Sequence, residues 1–166
     1  MDKQNSMLFL SRIDSATTAI DIKGDLFDQY NQKIVREFVA NNRIPIIKEK
    51  SDSLNKYFED YMAEIENCIH KLDSIPEYDS KFNLIQSNIS FWSSEIKFWE
   101  KWIPISMKLY QNGSNNLTID QRNEINNSFA RMRTEQKYQN EMADELTQQY
   151  KDFSHTHGFE YVRKHK

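Results

Sequence analysis

The chain has 166 residues, of which 38% are hydrophobic and 13% aromatic, enough to build the core of one domain. Only three Gly and three Pro are present, so the turns that many short strands require are scarce and an all-α fold is favoured. The formal net charge of -3 gives no overall attraction to phosphate, which disfavours nucleic acid as the main ligand.

Two features predict a cytoplasmic protein. The N-terminal apolar run, Met7 to Leu10, is too short for a signal peptide or a membrane span. The single cysteine, Cys68, cannot form an intramolecular disulfide, as expected in a reducing compartment.

Fifteen Asn against six Ala indicate A/T-rich coding and a bacterial or phage origin. Residues 1–166 are predicted to form one all-α domain, with 158–166 as a loosely ordered basic tail.

Three helices are predicted in the first half of the chain. Apolar residues at helical spacing predict a helix over residues 3–23, ended by Gly24 in a left-handed cap, and a second helix over residues 25–41. A third helix is predicted from about Pro45 to Asp73. Its apolar stripe repeats in heptad steps through Leu54, Phe58, Tyr61, Ile65, Cys68 and Leu72.

Two long helices are predicted in the second half. The segment Ser74–Glu77 has the pattern of a capping box and predicts a fourth helix that starts there or a few residues later and continues to Asn112. Pro104 predicts a kink or a break in this helix. The segment Thr118–Gln121 is a second capping box, which opens a fifth helix ending near His157. The prediction is an antiparallel helical bundle of about five helices, three of them long with coiled-coil-like packing.

The fifth helix has two glutamines, Gln136 and Gln139, where apolar residues would pack best. Buried glutamines there would help to fix the register of the helices at some cost in stability. The alternative, which we expect, is that the apolar stripe rotates and that Tyr138 and Met142 make the contact.

All three tryptophans lie in the fourth helix. On a helical wheel its apolar residues form two stripes that together cover ~220° of the circumference, against ~100° for an ordinary surface helix. The first stripe is Phe82, Ile85, Ile89, Trp92, Ile96, Trp99 and Ile103; the second is Leu84, Phe91, Phe98, Trp102, Ile105 and Leu109. One neighbour cannot cover both. The helix is therefore either central in the bundle or its second stripe receives a partner. Aromatic stripes at helical spacing are usually core, which favours the central position.

If the second stripe receives a partner, this stripe and the polar residues between the two stripes form the partner-binding site. The predicted residues are Phe91, Glu95, Phe98, Trp102 and Ile105. Because Glu95 needs water or a cationic partner, Phe98 and Trp102 should then stay partly exposed. Trp99 is predicted to be core in either case. Residues 51–100 carry ten acids and four bases, so a partner docking on the third and fourth helices should have a basic surface.

The motifs of common catalytic sites are missing from the sequence. It has no Gly-rich phosphate loop and no G-x-S-x-G elbow. Cys68 lies on an apolar stripe and is predicted to be a core residue. His155 and His157 lack the further ligands that zinc requires, so we interpret them as incidental residues of an exposed tail. The sequence thus predicts no enzyme activity, no metal and no cofactor.

One histidine has a sequence context that suggests a different function. His70 lies about 140° from the apolar stripe of the third helix, in the string "HKLDS". This string resembles the H-x-L-K-G pattern of histidine phosphotransfer bundles at His70 and Leu72, while Asp73 and Ser74 replace the Lys and the Gly. The resemblance implies a bundle that carries a phosphoryl group on His70.

The predicted function is a non-catalytic helical module that binds another protein. An immunity protein or inhibitor, an adaptor and a small effector all fit this description. Neither nucleic acid nor a membrane is expected as a partner. The phosphotransfer bundle and a structural coiled-coil homo-oligomer are the alternatives.

Overall fold

A computed structural model of the chain describes residues 2–162. All regular structure in this range is helical. The four helices are α1 (Lys3–Ala40), α2 (Lys48–Asp73), α3 (Leu84–Asn112) and α4 (Ile119–Thr156). Each helix packs against the next one along the chain. The prediction of an all-α bundle is confirmed, but residues 2–162 form four helices and not five.

The two short helices predicted at the N-terminus are one helix, because Gly24 lies inside α1 and does not end it. A glycine in a helix interior costs ~1 kcal/mol relative to alanine, so its presence needs a reason. Here a Cβ atom would lie 3.1 Å from Cε2 of Tyr61 on α2. The glycine lets this ring approach α1 closely, where it stacks on Phe27.

The predicted fourth helix is α3 of the structure, and it begins later than predicted, at Leu84. Ser74 is the C-cap of α2 and does not start a new helix. Glu77 nevertheless acts at a helix start, since its Oε2 accepts a hydrogen bond of 2.8 Å from the backbone N–H of Ile85. The predicted break at Pro104 is absent, because α3 continues as one helix through this residue.

The start of α4 is the predicted one. Thr118 and Gln121 form both hydrogen bonds of the capping box. Further along, Gln139 keeps its place at the contact with α3, where its Nε2 donates to Oγ of Ser94 at 2.6 Å. Tyr138 is 60% exposed. The expected rotation of the stripe toward Tyr138 is therefore wrong.

Helix α3 is the central helix of the bundle, with α2 on one side and α4 on the other. Side chains from both of its apolar stripes are buried. They include Ile85, Trp92 and Ile103 from the first stripe and Leu84, Phe98 and Trp102 from the second. Helix α1 also reaches α3, since Phe27 meets Trp99 edge to face with ring centroids 5.0 Å apart.

At one end of the bundle, which we call the closed end, α1 and α4 are in contact. The rings of Phe9 and Phe153 lie 5.6 Å apart. After α4 the chain folds back, so that Tyr161 stacks on Tyr150 and its hydroxyl donates to Asp14 at 2.8 Å. Of the predicted basic tail, residues 163–166 lie outside the described range.

No helix within residues 2–162 is long and apolar enough to cross a membrane.

Candidate functional site

At the opposite end of the bundle, α1 and α4 separate and leave a groove of about 820 Å³. The C-terminal half of α1 and the N-terminal half of α4 form its walls, and α3 forms its floor. Its lining includes Val35, Phe38, Val39, Arg43, Trp99, Ile103, Leu109, Tyr110, Arg122, Ile125, Phe129, Met132 and Arg133. We call this the α1/α4 groove.

The groove exposes apolar side chains that the bundle leaves uncovered. On the α1 wall, Val35 is 39% exposed and Val39 is 57% exposed. Phe129 and Met132 on the opposite wall are half-buried, and so is Trp99 in the floor. These side chains would lose contact with water if another molecule filled the groove.

The charged residues of the lining all have the same sign. Arg43, Arg122 and Arg133 line the groove, and no Asp or Glu is among the described residues that do so. Within residues 2–162 no side chain forms an ion pair or a hydrogen bond with these three guanidinium groups. The groove is therefore apolar inside and cationic at its edges.

Two loops hold the end of the groove in a fixed shape. The N–H of Ser114, after α3, donates to the carbonyl oxygen of Arg43, after α1, at 2.9 Å. Gly113 has a φ of +68°, and a Cβ atom there would lie 2.7 Å from Cδ of Pro45. Only glycine allows this approach, so the loop contact fixes the spacing of α1 and α3 where the groove opens.

Two of the predicted partner-binding residues are buried. Phe98 is 5% exposed and Trp102 is 2% exposed. The Nε1–H of Trp102 donates to Oε2 of Glu135 on α4 at 3.0 Å, and Lys101 pairs with the same carboxylate while lying over the Trp102 ring. The expectation that both rings stay partly exposed is wrong, because α4 covers them.

Glu95, the polar residue of the predicted site, forms its hydrogen bonds within the protein. Its Oε1 accepts hydrogen bonds from Nε1–H of Trp99 at 2.6 Å and from the Tyr61 hydroxyl at 3.5 Å. Burial raises the pKa of Glu95, and these two donors oppose that shift. The carboxyl group thus has partners inside the protein and does not need the water or the cation that the sequence suggested. Trp99 was predicted to be a core residue, but it is half-buried: it packs against the core, and part of it faces the groove.

The other two predicted residues, Phe91 and Ile105, are half-buried. Phe91 lines a separate cavity of about 380 Å³ together with Trp92 and Tyr150. None of the five predicted residues lines the α1/α4 groove. Sequence reasoning missed the groove, although the repetition of Ile125, Phe129, Met132 and Arg133 along one face of α4 was a signal that could have pointed to one wall.

The groups considered for chemistry lie apart from the groove. Cys68 is fully buried, and burial raises the pKa of its thiol to about 12. His70 is exposed, with no hydrogen bond or ion pair to another described residue. His155 is also exposed, but His157 is not the exposed residue predicted: its side chain is 4% exposed and its Nε2 lies 3.4 Å from Oδ2 of Asp79.

The groove can bury apolar surface of another molecule and pair carboxylates at its edges. Among residues 2–162, no three His, Cys, Asp or Glu side chains are grouped as metal ligands would be. Compared with protein-family models, with curated proteins and with solved structures, the chain matches none of them.

Proposed function

We propose that the chain is a non-catalytic module that binds another protein through the α1/α4 groove. The observation that supports this proposal is the exposure of Val35 and Val39 beside a floor of Trp99 and Ile103. Apolar surface of this kind, bordered by charged residues, is typical of binding sites. Covering it is favourable by ~25 cal/mol per Å² removed from water.

The proposal gives the aromatic residues of α3 a supporting role. Phe98 and Trp102 form the contact between α3 and α4, and Glu135 connects Trp102 to α4 through its side chain. They hold α4 in place as one wall of the groove and do not touch the partner. A cytoplasmic immunity protein or inhibitor, an adaptor or a small effector would all use such a surface.

Photo-crosslinking in the native cells tests this function. A benzophenone amino acid at position 39 would lie in the groove, whereas the same group at position 22 would lie outside it on the same helix, where Ile22 is 58% exposed. We expect a defined adduct with another protein from position 39 and not from position 22. Equal adducts at both positions, or none at position 39, would contradict the proposal.

The variant V35Q/V39Q provides a second control for this experiment. With the crosslinker placed at Phe129 on the opposite wall, these two changes should remove the adduct, because both valines lie on the facing wall. An adduct that persists in this variant would place the partner outside the groove.

A further inference from the structure

The groove has the length of a short helix. Its wall on α4 extends from Arg122 to Gln136, ~22 Å at 1.5 Å per residue, which ~4 helical turns would span. Both walls are helices whose backbone groups bond within each helix. An extended peptide would therefore find no backbone partners along the groove, whereas a helix satisfies its own backbone and needs only side-chain contacts. The geometry favours a helix with an apolar ridge as the occupant.

The charge of the lining selects the flanks of that helix. Arg122 and Arg133 line the groove from α4, and Arg43 lies just after the end of α1. The residues three and four positions away from Arg122 and Arg133 carry no negative charge, so α4 supplies no carboxylate of its own to pair with them. An incoming carboxylate would find guanidinium donors that are already free to pair.

The position of Arg43 is set before any partner arrives. Its backbone has a φ of +58°, and its carbonyl oxygen accepts the hydrogen bond from the N–H of Ser114. On the other side of this loop, the N–H of Ile46 donates to the carbonyl oxygen of Tyr110 at 3.0 Å. A partner would therefore not have to order this backbone on binding, which lowers the cost of association.

We infer that the α1/α4 groove takes an amphipathic helix of another protein, about four turns long, with an apolar ridge and acidic flanks. The ridge would cover Val35, Val39 and the exposed part of Trp99, and the flanking carboxylates would pair with Arg43, Arg122 and Arg133. This inference rests on the proposed function and adds the class of partner. The charge of this partner is opposite to the basic surface expected for docking on α2 and α3.

Two synthetic helical peptides test the inference directly. Both carry the same leucine ridge at i, i+4, i+7 and i+11 spacing, and they differ only in Glu or Lys at the flanking positions. Binding to the full chain is measured by fluorescence anisotropy at low and high salt. We expect the acidic peptide to bind about tenfold tighter at low salt, with the difference shrinking as salt screens the charges.

A matched pair of variants locates the binding site. R133E places a negative charge in the groove, whereas R131E makes the same change in net charge at an exposed position of α4 that does not line the groove. We expect R133E to weaken binding of the acidic peptide about tenfold and R131E to change it less than about twofold. Equal effects of the two changes would show that only net charge matters and would overturn the inference.

The remaining outcomes separate this inference from the proposed function. Tighter binding of the basic peptide would overturn the inference, and so would failure of both peptides to bind while position 39 still crosslinks to another protein. In both cases the binding function would stand. If position 39 crosslinks only to a second copy of this chain and sedimentation shows a dimer, both the inference and the proposed function are overturned.

Discussion

At the closed end of the bundle α1 and α4 meet through Phe9 and Phe153, whereas at the other end the same two helices stand apart around the α1/α4 groove. The difference lies in how deeply the side chains of α4 are buried. Near its C-terminus the rings of Tyr150 and Phe153 are buried, while Phe129 and Met132 on the groove wall are only half-buried. The same helix therefore packs closely at one end of the bundle and leaves apolar side chains uncovered at the other.

Replacing one phenylalanine of α4 at each end of the bundle should give the largest difference in the free energy of unfolding. Phe153 is fully buried, with its ring in contact with those of Phe9 and Phe82, so F153A should cost ~3–5 kcal/mol through lost burial and the cavity left behind. Phe129 is half-buried at the groove wall, so F129A should cost less than ~1 kcal/mol. Urea denaturation of both variants measures the difference.

Equal losses for the two phenylalanine variants would contradict the comparison. They would mean that Phe129 is as well packed as Phe153 in solution and that the groove is closed.

Two glycines with positive φ test how firmly the groove end is held. Gly113 has φ +68° and ψ +156°, so G113A would strain the backbone by ~1–3 kcal/mol and would also force the new Cβ atom against Pro45. Gly158 has a φ of +76°, and a Cβ atom there would meet nothing within 4 Å, so G158A should cost only the ~1–2 kcal/mol of the left-handed backbone. Thermal melting of the two variants should rank G113A as the less stable.

If G158A proved the more damaging of the two, the loop contact between Ser114 and Arg43 would not be what fixes the groove end.

The carboxyl group of Glu95 should make the contact between α2 and α3 sensitive to pH. Because burial raises the pKa of Glu95 above 4.5, the folded chain binds more protons at this site than the unfolded chain does. The stabilisation of the fold by proton binding at Glu95 is therefore complete below the pKa of the unfolded chain, and it is lost as pH rises through the raised pKa of the folded chain. E95Q keeps an oxygen to accept from Trp99 and cannot ionise, so its stability relative to the natural chain should increase from pH 4 to pH 7.

Denaturation of E95Q and of the natural chain at both pH values measures this gain. A constant difference between pH 4 and pH 7 would show that Glu95 is not desolvated in the folded chain.

The helix starts that the sequence predicts correctly depend on local contacts. Thr118 and Gln121 bond to each other within one turn, so their pattern can be read without knowing the fold. The prediction that Gly24 ends a helix is wrong because this glycine makes room for the ring of Tyr61, which belongs to another helix. The prediction that a helix starts at Ser74–Glu77 is wrong because the N–H that Glu77 caps lies eight positions further along the chain.

The candidate site could not be predicted for the same physical reason. The helical wheel shows that α3 has two apolar stripes, but it cannot show that Tyr61, 34 positions from Glu95, donates a hydrogen bond to this carboxyl group. The groove is a gap between α1 and α4, which are not consecutive in the chain. Its existence depends on the distance between α1 and α4, which no local sequence pattern gives.

The smallest expected effect is that of V39Q, which tests whether the groove is open in the free protein. Val39 is 57% exposed, so replacing it with a polar side chain removes little buried surface and should change the free energy of unfolding by less than ~0.5 kcal/mol. The adjacent Phe38 is 4% exposed and packs on the ring of Tyr110, so F38Q should cost several times more. Chemical denaturation of the two variants compares the inner and the outer face of one helical turn. A loss for V39Q that approaches the loss for F38Q would mean that α4 or another copy of the chain covers Val39 in solution, and the open groove would then have no basis.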